Sequence, residues 1–301
     1  MLPADLNERL NVELGALAQL DGIPGVAPDY VRFCAALAWS QATAQAELRA
    51  RGARAQRRQP PGQRRLDRDA MSFDGRVLHD LLGNLLRAVP SRPPGDTLAI
   101  VTKVAHGHHG PGFLERLAAA ACDEDADGLE VMAQRHGLPS PALRFLGRLL
   151  AAPCVTEARC RRGPFPELDA RNAEGPEAVR CPTCGSPPAL AVLCRDDGRR
   201  RLLCGLCGDA WLAPRLMCVA CGAGDRARLA SLSLKQDDAR WLETCEACRR
   251  YVKTVDERRL ADDHMLVLRA EEAVSLHLDL LAETAGYVRP DYHYLPREIT
   301  T

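Results

Sequence analysis

The stretch CPTCGSPPALAVLCRDDGRRRLLCGLCGDAWLAPRLMCVACG, residues 181–222, and the shorter ETCEACRRYVK, residues 243–253, decide how this chain is read. Together they hold four Cys-x-x-Cys pairs in order: Cys181/Cys184, Cys204/Cys207, Cys218/Cys221 and Cys245/Cys248. Two-residue spacing lets both sulfurs of one tight turn point at a single ion, and a tetrahedral site needs two such turns. Pairing the first with the second leaves 19 residues between them, and pairing the third with the fourth leaves 23. Either interval accommodates a β-hairpin: Ala189–Leu193 with Arg201–Leu203, turning at Asp196-Asp197-Gly198, and Leu229–Leu234 with Arg240–Glu243. Sequential pairing is preferred because those hairpins are local. Crossed pairing, first with third and second with fourth, is the alternative.

The expectation is therefore two four-cysteine metal sites per chain. Three of the pairs run directly into glycine (Gly185, Gly208, Gly222), which can take positive φ and turn backbone N–H groups toward the thiolates. The fourth runs into Arg249, which leaves its knuckle geometry open. All-sulfur tetrahedral ligation suits Zn and equally a rubredoxin-type single Fe, so spacing does not choose the metal. Cys194 lies inside the first hairpin and reads as a small buried hydrophobe rather than a fifth ligand.

Outward from this stretch the composition changes. Of 13 cysteines, ten fall in residues 156–250 and three (Cys34, Cys122, Cys154) before them. Residues 1–160 read as an all-α domain. A run rich in helix formers extends from Tyr30 to about Arg58. Residues 72–89 place Val77, Leu78, Leu81, Leu82, Leu85 and Leu86 on one face behind Ser72 as cap. Shorter helices are expected over 112–121 and 128–136, and another starting at Ser140-Pro141. A Pro/Gly-rich linker over 161–178 follows, then ribbons at 179–215 and 216–257, and a C-terminal helix and tail over 258–301. That helix is expected over 261–286, capped by Asp262 or Asp263, with Val274, Leu278 and Leu281 inward, His277 half-buried and Gly286 as the stop. The fold class is α+β multidomain: a helical domain, two tandem rubredoxin-like or zinc-ribbon modules, and a C-terminal helix.

The 301 residues carry 40 basic and 40 acidic side chains, and 37 of the basic ones are Arg, a bias typical of a GC-rich genome. Zero net charge, 4% aromatics and the acidic run over 123–127 argue against a nucleic-acid-binding zinc-ribbon protein, which is the alternative function. Arg49–Arg68 holds eight Arg in twenty residues, but without aromatics for base stacking. It reads as a solvated helix end and loop, with an acidic docking site as the sharper reading. His106-Gly-His108-His109 reads as a loop because no carboxylate stands at ligand spacing. There is no phosphate-binding glycine loop and no nucleophile elbow, and no βαβ pattern surrounds any Cys pair, as a thiol–disulfide oxidoreductase would need. No apolar run is long enough to cross a membrane, and the first nine residues carry no apolar signal core. A cytoplasmic, non-catalytic protein is expected.

The order of motifs resembles one family. The strings at 181–188 and 202–211, Arg215, Cys218-Val-Ala-Cys-Gly, Glu243–Lys253 and Leu276-His-Leu-Asp-Leu-Leu-Ala-Glu-Thr-Ala-Gly-Tyr (276–287) are similar to FdhE, the formate dehydrogenase accessory protein family. The resemblance is strongest over residues 178–290. It implies an assembly factor that binds the catalytic subunit of a respiratory formate dehydrogenase in the cytoplasm. It also implies that Cys181, Cys184, Cys204, Cys207, Cys218, Cys221, Cys245 and Cys248 are ligands to two metal ions, Fe or Zn, and that the Cys-x-x-Cys motifs meet the client.

Overall fold

A computed structural model describes residues 2–51, 66, 71–88, 96–107, 109–110, 112–162, 179–235 and 237–290. The chain divides into a helical unit ending at Arg162 and a sheet unit whose described residues begin at Val179.

The helical unit contains α1 (Ala4–Ala18), α2 (Pro28–Ala50), α3 (Gly75–Ala88), α4 (Asp96–His106), α5 (Phe113–Asp123), α6 (Ala126–His136) and α7 (Ser140–Arg162). In α3 the stripe Val77, Leu78, Leu81, Leu82 and Leu85 is fully buried, as its spacing predicts. Its cap is Asp74 rather than Ser72: Asp74 Oδ1 accepts from the N–H groups of Arg76 (3.0 Å) and Val77 (3.3 Å). The acidic run does break two helices. Asp125 Oδ1 accepts from Gly128 N at 2.9 Å and starts α6. Helices α1 and α4 were not anticipated. The turn-rich Pro93-Pro94-Gly95 and the β-branched Ile100, Val101, Thr102 and Val104 disguise α4 as non-helical.

Helix α7 carries Pro153 in its interior. Proline lacks the N–H that would bond the carbonyl four residues back, that of Leu149. Gln41 Nε2 of α2 donates to that carbonyl at 3.0 Å, so the defect is satisfied from the neighbouring helix. A turn later, buried Glu157 accepts from Gln45 (3.1 Å), Arg49 (3.3 Å) and Arg161 (3.1 Å). At Gly147, a Cβ would stand 2.5 Å from Ala121 Cβ and 2.6 Å from the Leu117 carbonyl, so the α5–α7 approach requires glycine.

The sheet unit has β1 (Pro188–Leu193), β2 (Arg200–Cys204), β3 (Ala210–Leu212), β4 (Leu229–Leu232), β5 (Arg240–Cys245) and β6 (Arg250–Asp256). Both expected hairpins form, β1/β2 and β4/β5, each antiparallel. The two halves repeat one plan: a knuckle, two strands with a second knuckle after them, and a third strand. They are joined into one six-stranded sheet, ordered β3-β2-β1-β6-β5-β4, by a parallel pairing of β1 with β6 from Leu190↔Lys253 to Leu193↔Asp256. Strand β1 is therefore central, and all six of its residues are buried.

The expected single C-terminal helix is two, α8 (Leu268–Val274) and α9 (Leu276–Thr284), parted at Ser275 (φ −106°, ψ 21°). Ser275 Oγ donates back to the Glu271 carbonyl, a local bond that competes with helix continuation. Neither Asp262 nor Asp263 caps a helix; Asp262 instead pairs with Arg195 at 3.1 Å. Helix α9 lays Leu278 and Ala282 against Leu242 and Tyr251, with Tyr287 closing the cluster after the stop at Gly286 (φ 75°). His277 is half-buried. Beside that cluster lies a buried charge network. Lys253 Nζ meets Glu272 (3.1 Å) and Asp279 (2.9 Å), Arg289 meets both Glu272 oxygens (2.6 and 2.7 Å), and Tyr251 donates to Asp279 at 2.6 Å.

Candidate metal centres

The eight cysteines gather into two groups, Cys181/Cys184/Cys204/Cys207 and Cys218/Cys221/Cys245/Cys248, with the four Sγ atoms of each within 4.8 Å of one another. This is the sequential pairing; the crossed alternative is not the arrangement found. Among the described residues these are the groups of three or more potential ligands.

Each pair sits in the same local turn. The residue after the second cysteine returns its N–H to the first cysteine's carbonyl: Gly185 to Cys181 (2.8 Å), Gly208 to Cys204 (3.1 Å), Gly222 to Cys218 (3.0 Å) and Arg249 to Cys245 (2.8 Å). The glycines hold φ of 76°, 71° and 73°, and Arg249 holds 54°. The fourth knuckle thus has the geometry of the others despite lacking glycine. A left-handed residue with a Cβ costs roughly 1–2 kcal/mol. Arg249 has compensating contacts: its guanidinium bonds Glu246 (2.6 Å) and the Ala285 carbonyl (2.8 Å) and stacks 4.1 Å over the Tyr287 ring. The sequence signals this only indirectly, since Arg249 and Tyr287 lie far apart along the chain.

Sulfur spacing fits a tetrahedral ion. Across the turns, Cys181–Cys207 is 3.6 Å, Cys184–Cys204 3.4 Å, Cys218–Cys248 3.6 Å and Cys221–Cys245 3.8 Å. An ion about 2.3 Å from each sulfur sets tetrahedron edges near ~3.8 Å, whereas a disulfide would need about 2 Å. No disulfide joins any of the cysteines, all of which are among the described residues. Backbone N–H groups already point at the sulfurs: Leu206 (3.4 Å) and Cys207 (3.5 Å) at Cys204, and Ala220 (3.4 Å) at Cys218.

Electrostatics point the same way. Hydrogen bonds from Cys181, Cys204 and Cys207 hold the Cys184 thiol well below its ordinary range in spite of burial. Burial pushes Cys181 well up, and hydrogen bonding to Cys181 and its neighbours raises Cys207. In the second group burial raises Cys218 to about 11 and pushes Cys248 up. At Cys221 burial is outweighed by the Ala223 N–H and the neighbouring thiols, so this thiol is lowered. A divalent ion at each cluster would let all four thiols ionise.

The two centres differ in access. All four sulfur-bearing residues of the first are buried, whereas Cys221 is exposed and Cys248 half-buried. The first is also tied across its knuckles by Thr183 Oγ1 donating to Asp209, a link the sequence reading missed. Cys194 is buried, 8% exposed, and stands outside both groups. Trp211 is fully buried in β3 opposite Leu202, and Arg215 is exposed.

The other sequence candidates do not assemble a site. His109 Nδ1 lies 3.1 Å from His136 Nδ1, His106 is exposed, and His108 lies outside the described residues. Most of Arg49–Arg68 also lies outside them. Within it, Arg49 pairs with Asp5 and Glu157, and Arg51 with Glu47 and Asp74. No helix among the described residues is long and apolar enough to cross a membrane.

No family model matches the chain. Among curated proteins it is similar to the FdhE homologues of Aquifex aeolicus (30% identical over 118 residues, 38% of this chain and 41% of that protein) and Pseudomonas aeruginosa (33% over 118 residues, 36% and 37%). The homologue of Haemophilus ducreyi is 31% identical over 119 residues, 39% of this chain and 38% of that one. The matches thus span about two-fifths of the curated relatives' length. The crystal structure of the FdhE protein from Pseudomonas aeruginosa has the same fold, with a TM-score of 0.62 over 97% of this chain and 96% of that one at 23% identity. Several FdhE homologues are thus similar to this chain in sequence over part of their length, and one FdhE crystal structure shares its fold.

Proposed function

We propose that the chain is a non-catalytic accessory factor for assembly of a respiratory formate dehydrogenase, binding the enzyme's catalytic subunit in the cytoplasm. The observation that carries the reading is the pair of preformed tetracysteine centres in a fold shared with an FdhE protein. In this reading Cys181, Cys184, Cys204 and Cys207 hold one metal ion, and Cys218, Cys221, Cys245 and Cys248 hold the second. Zinc would supply rigidity alone, whereas iron would add one-electron chemistry. The protein's own part is to fix four knuckles, screen thiolate charge with backbone N–H groups and present a rigid sheet to a large folding client.

The test is an anaerobic pull-down from the host with the tagged full chain, with mass spectrometry of the captured proteins and metal analysis of the same sample. A formate dehydrogenase catalytic subunit should co-purify with about two metal ions per chain, and Cys181→Ser should lose it. Capture of RNA polymerase or nucleic acid in its place would overturn the assembly reading.

A further inference from the structure

Strand β4 forms one edge of the sheet, and among the described residues no strand pairs with its outer side. Its sequence, Leu-Ala-Ser-Leu, holds no proline, no charge and no bulge, the usual devices that protect an edge. Ala230 and Ser231 are exposed. At the opposite edge Trp211 and Leu212 of β3 are buried. The ladder fixes which β4 groups are available. The Arg228 carbonyl accepts from Glu246 N at 2.8 Å and the Ala230 carbonyl from Thr244 Oγ1 at 3.2 Å, so both face β5. By strand alternation the C=O of Leu229 and the N–H and C=O of Ser231 face outward, while the Leu229 N–H is taken by the Arg226 carbonyl.

Beside this edge runs a groove of about 570 Å³, whose lining includes Arg215, Leu216, Ser231, Lys235 and Trp241. Leu216 is 48% exposed and Trp241 half-buried, which gives the groove an apolar stripe. The surrounding charges are unevenly committed. Glu243 is paired with Arg200, Asp256 with Arg258, Asp238 with Arg259, Asp237 with Arg240 and Asp225 with Arg228. The exposed cations Arg215 and Lys235 in the groove, and Arg226 ahead of β4, have no ion-pair partner among the described residues. Deeper in the groove, Arg200 is buried and its Nε–H is unpartnered among the described residues. Among the described residues these carboxylates are paired and the unpaired charge is positive.

We infer that the β4 edge and its groove bind an extended acidic segment of a partner protein as an added strand. Backbone bonds would run to the Leu229 carbonyl and to the N–H and C=O of Ser231, apolar side chains would pack on Leu216 and Trp241, and carboxylates would meet Arg215 and Lys235. The inference rests on the assembly reading only in taking a protein as the partner.

The test is fluorescence anisotropy of the full chain with a short labelled peptide alternating Glu and Val, a Lys/Val counterpart, and the Glu/Val peptide N-methylated at alternate amides. The Glu/Val peptide should bind, and N-methylation should weaken it by about tenfold or more, because strand addition depends on main-chain bonds. Arg215→Glu and Lys235→Glu, both at exposed positions, should each weaken it by roughly tenfold as an attractive contact becomes repulsive. Equal binding of the N-methylated peptide or of the Lys/Val peptide would overturn the proposal. Tighter binding of a single-stranded oligothymidylate at the same residues would overturn it too, by making the groove a nucleic-acid site. No formate dehydrogenase enters this assay, so its failure is separate from failure of the pull-down.

Discussion

Arg249 shows how one residue reconciles two demands. Its backbone takes the left-handed turn that three glycines supply elsewhere, while its guanidinium ties the knuckle to Glu246, Ala285 and Tyr287. Arg249→Ala keeps the strain and loses those contacts, whereas Arg249→Gly loses the contacts and the strain together. Arg249→Gly is therefore expected to be the more stable of the two by about 1 kcal/mol in urea unfolding. Equal stabilities would mean that the turn carries no strain. Exposure separates the sulfurs as clearly. Cys221 is exposed and its thiol lowered, while the first centre is wholly buried. Limited iodoacetamide treatment in the presence of a chelator should label Cys221 first, and metal should leave in two phases, the second centre before the first. A single phase with uniform labelling would contradict this.

At the scale of elements, α5 and α7 approach so closely at Gly147 that an added methyl meets both a side chain and a backbone carbonyl. Gly147→Ala should lower the stability of the helical unit by about 1–3 kcal/mol, read as an earlier helix melt with the metal content unchanged. In the sheet unit, α9 is fastened to β6 by charge as well as by Leu278. Burial alone would raise the Asp279 carboxyl, but Lys253 and Arg289 outweigh it and hold the group below its ordinary range. A carboxyl lowered in the folded state contributes stability that is complete above the unfolded value, about pH 4. That contribution is lost as pH falls through the lowered folded value. Asp279→Asn should cost about 1.5–3 kcal/mol at neutral pH and flatten the acid limb of the stability profile. An unchanged acid limb would show that another carboxylate dominates it.

At the scale of the molecule, the parallel pairing of β1 with β6 makes the two ribbons one sheet. Cys181→Ser should therefore release the first metal and also hasten release from the second centre, while the helical circular dichroism persists because that core belongs to the other unit. Independent release rates would imply that the β1/β6 seam carries little free energy. Knuckles, hairpins and the Leu stripe of α3 were legible because each depends on residues close in sequence: a two-residue Cys spacing, a turn at Asp197-Gly198, a helical period. The eight-cysteine set and its sequential grouping were legible for the same reason. The β1/β6 seam was not, because parallel pairing joins strands some sixty residues apart and leaves no local signal beyond the apolar run of β1. Nor was the break at Ser275, where a side-chain bond overrides a helical pattern. The third strands, the charge network under α9 and the Gln41 bond that repairs Pro153 also escaped the sequence reading. What the sequence by itself determined was which residues could form each knuckle, hairpin and stripe, since those contacts are fixed by chain geometry over a few residues. Only the tertiary structure decided that the ribbons share a sheet, that one centre is buried and the other open, and that β4 is left as an edge, because those depend on which distant surfaces the chain brings together.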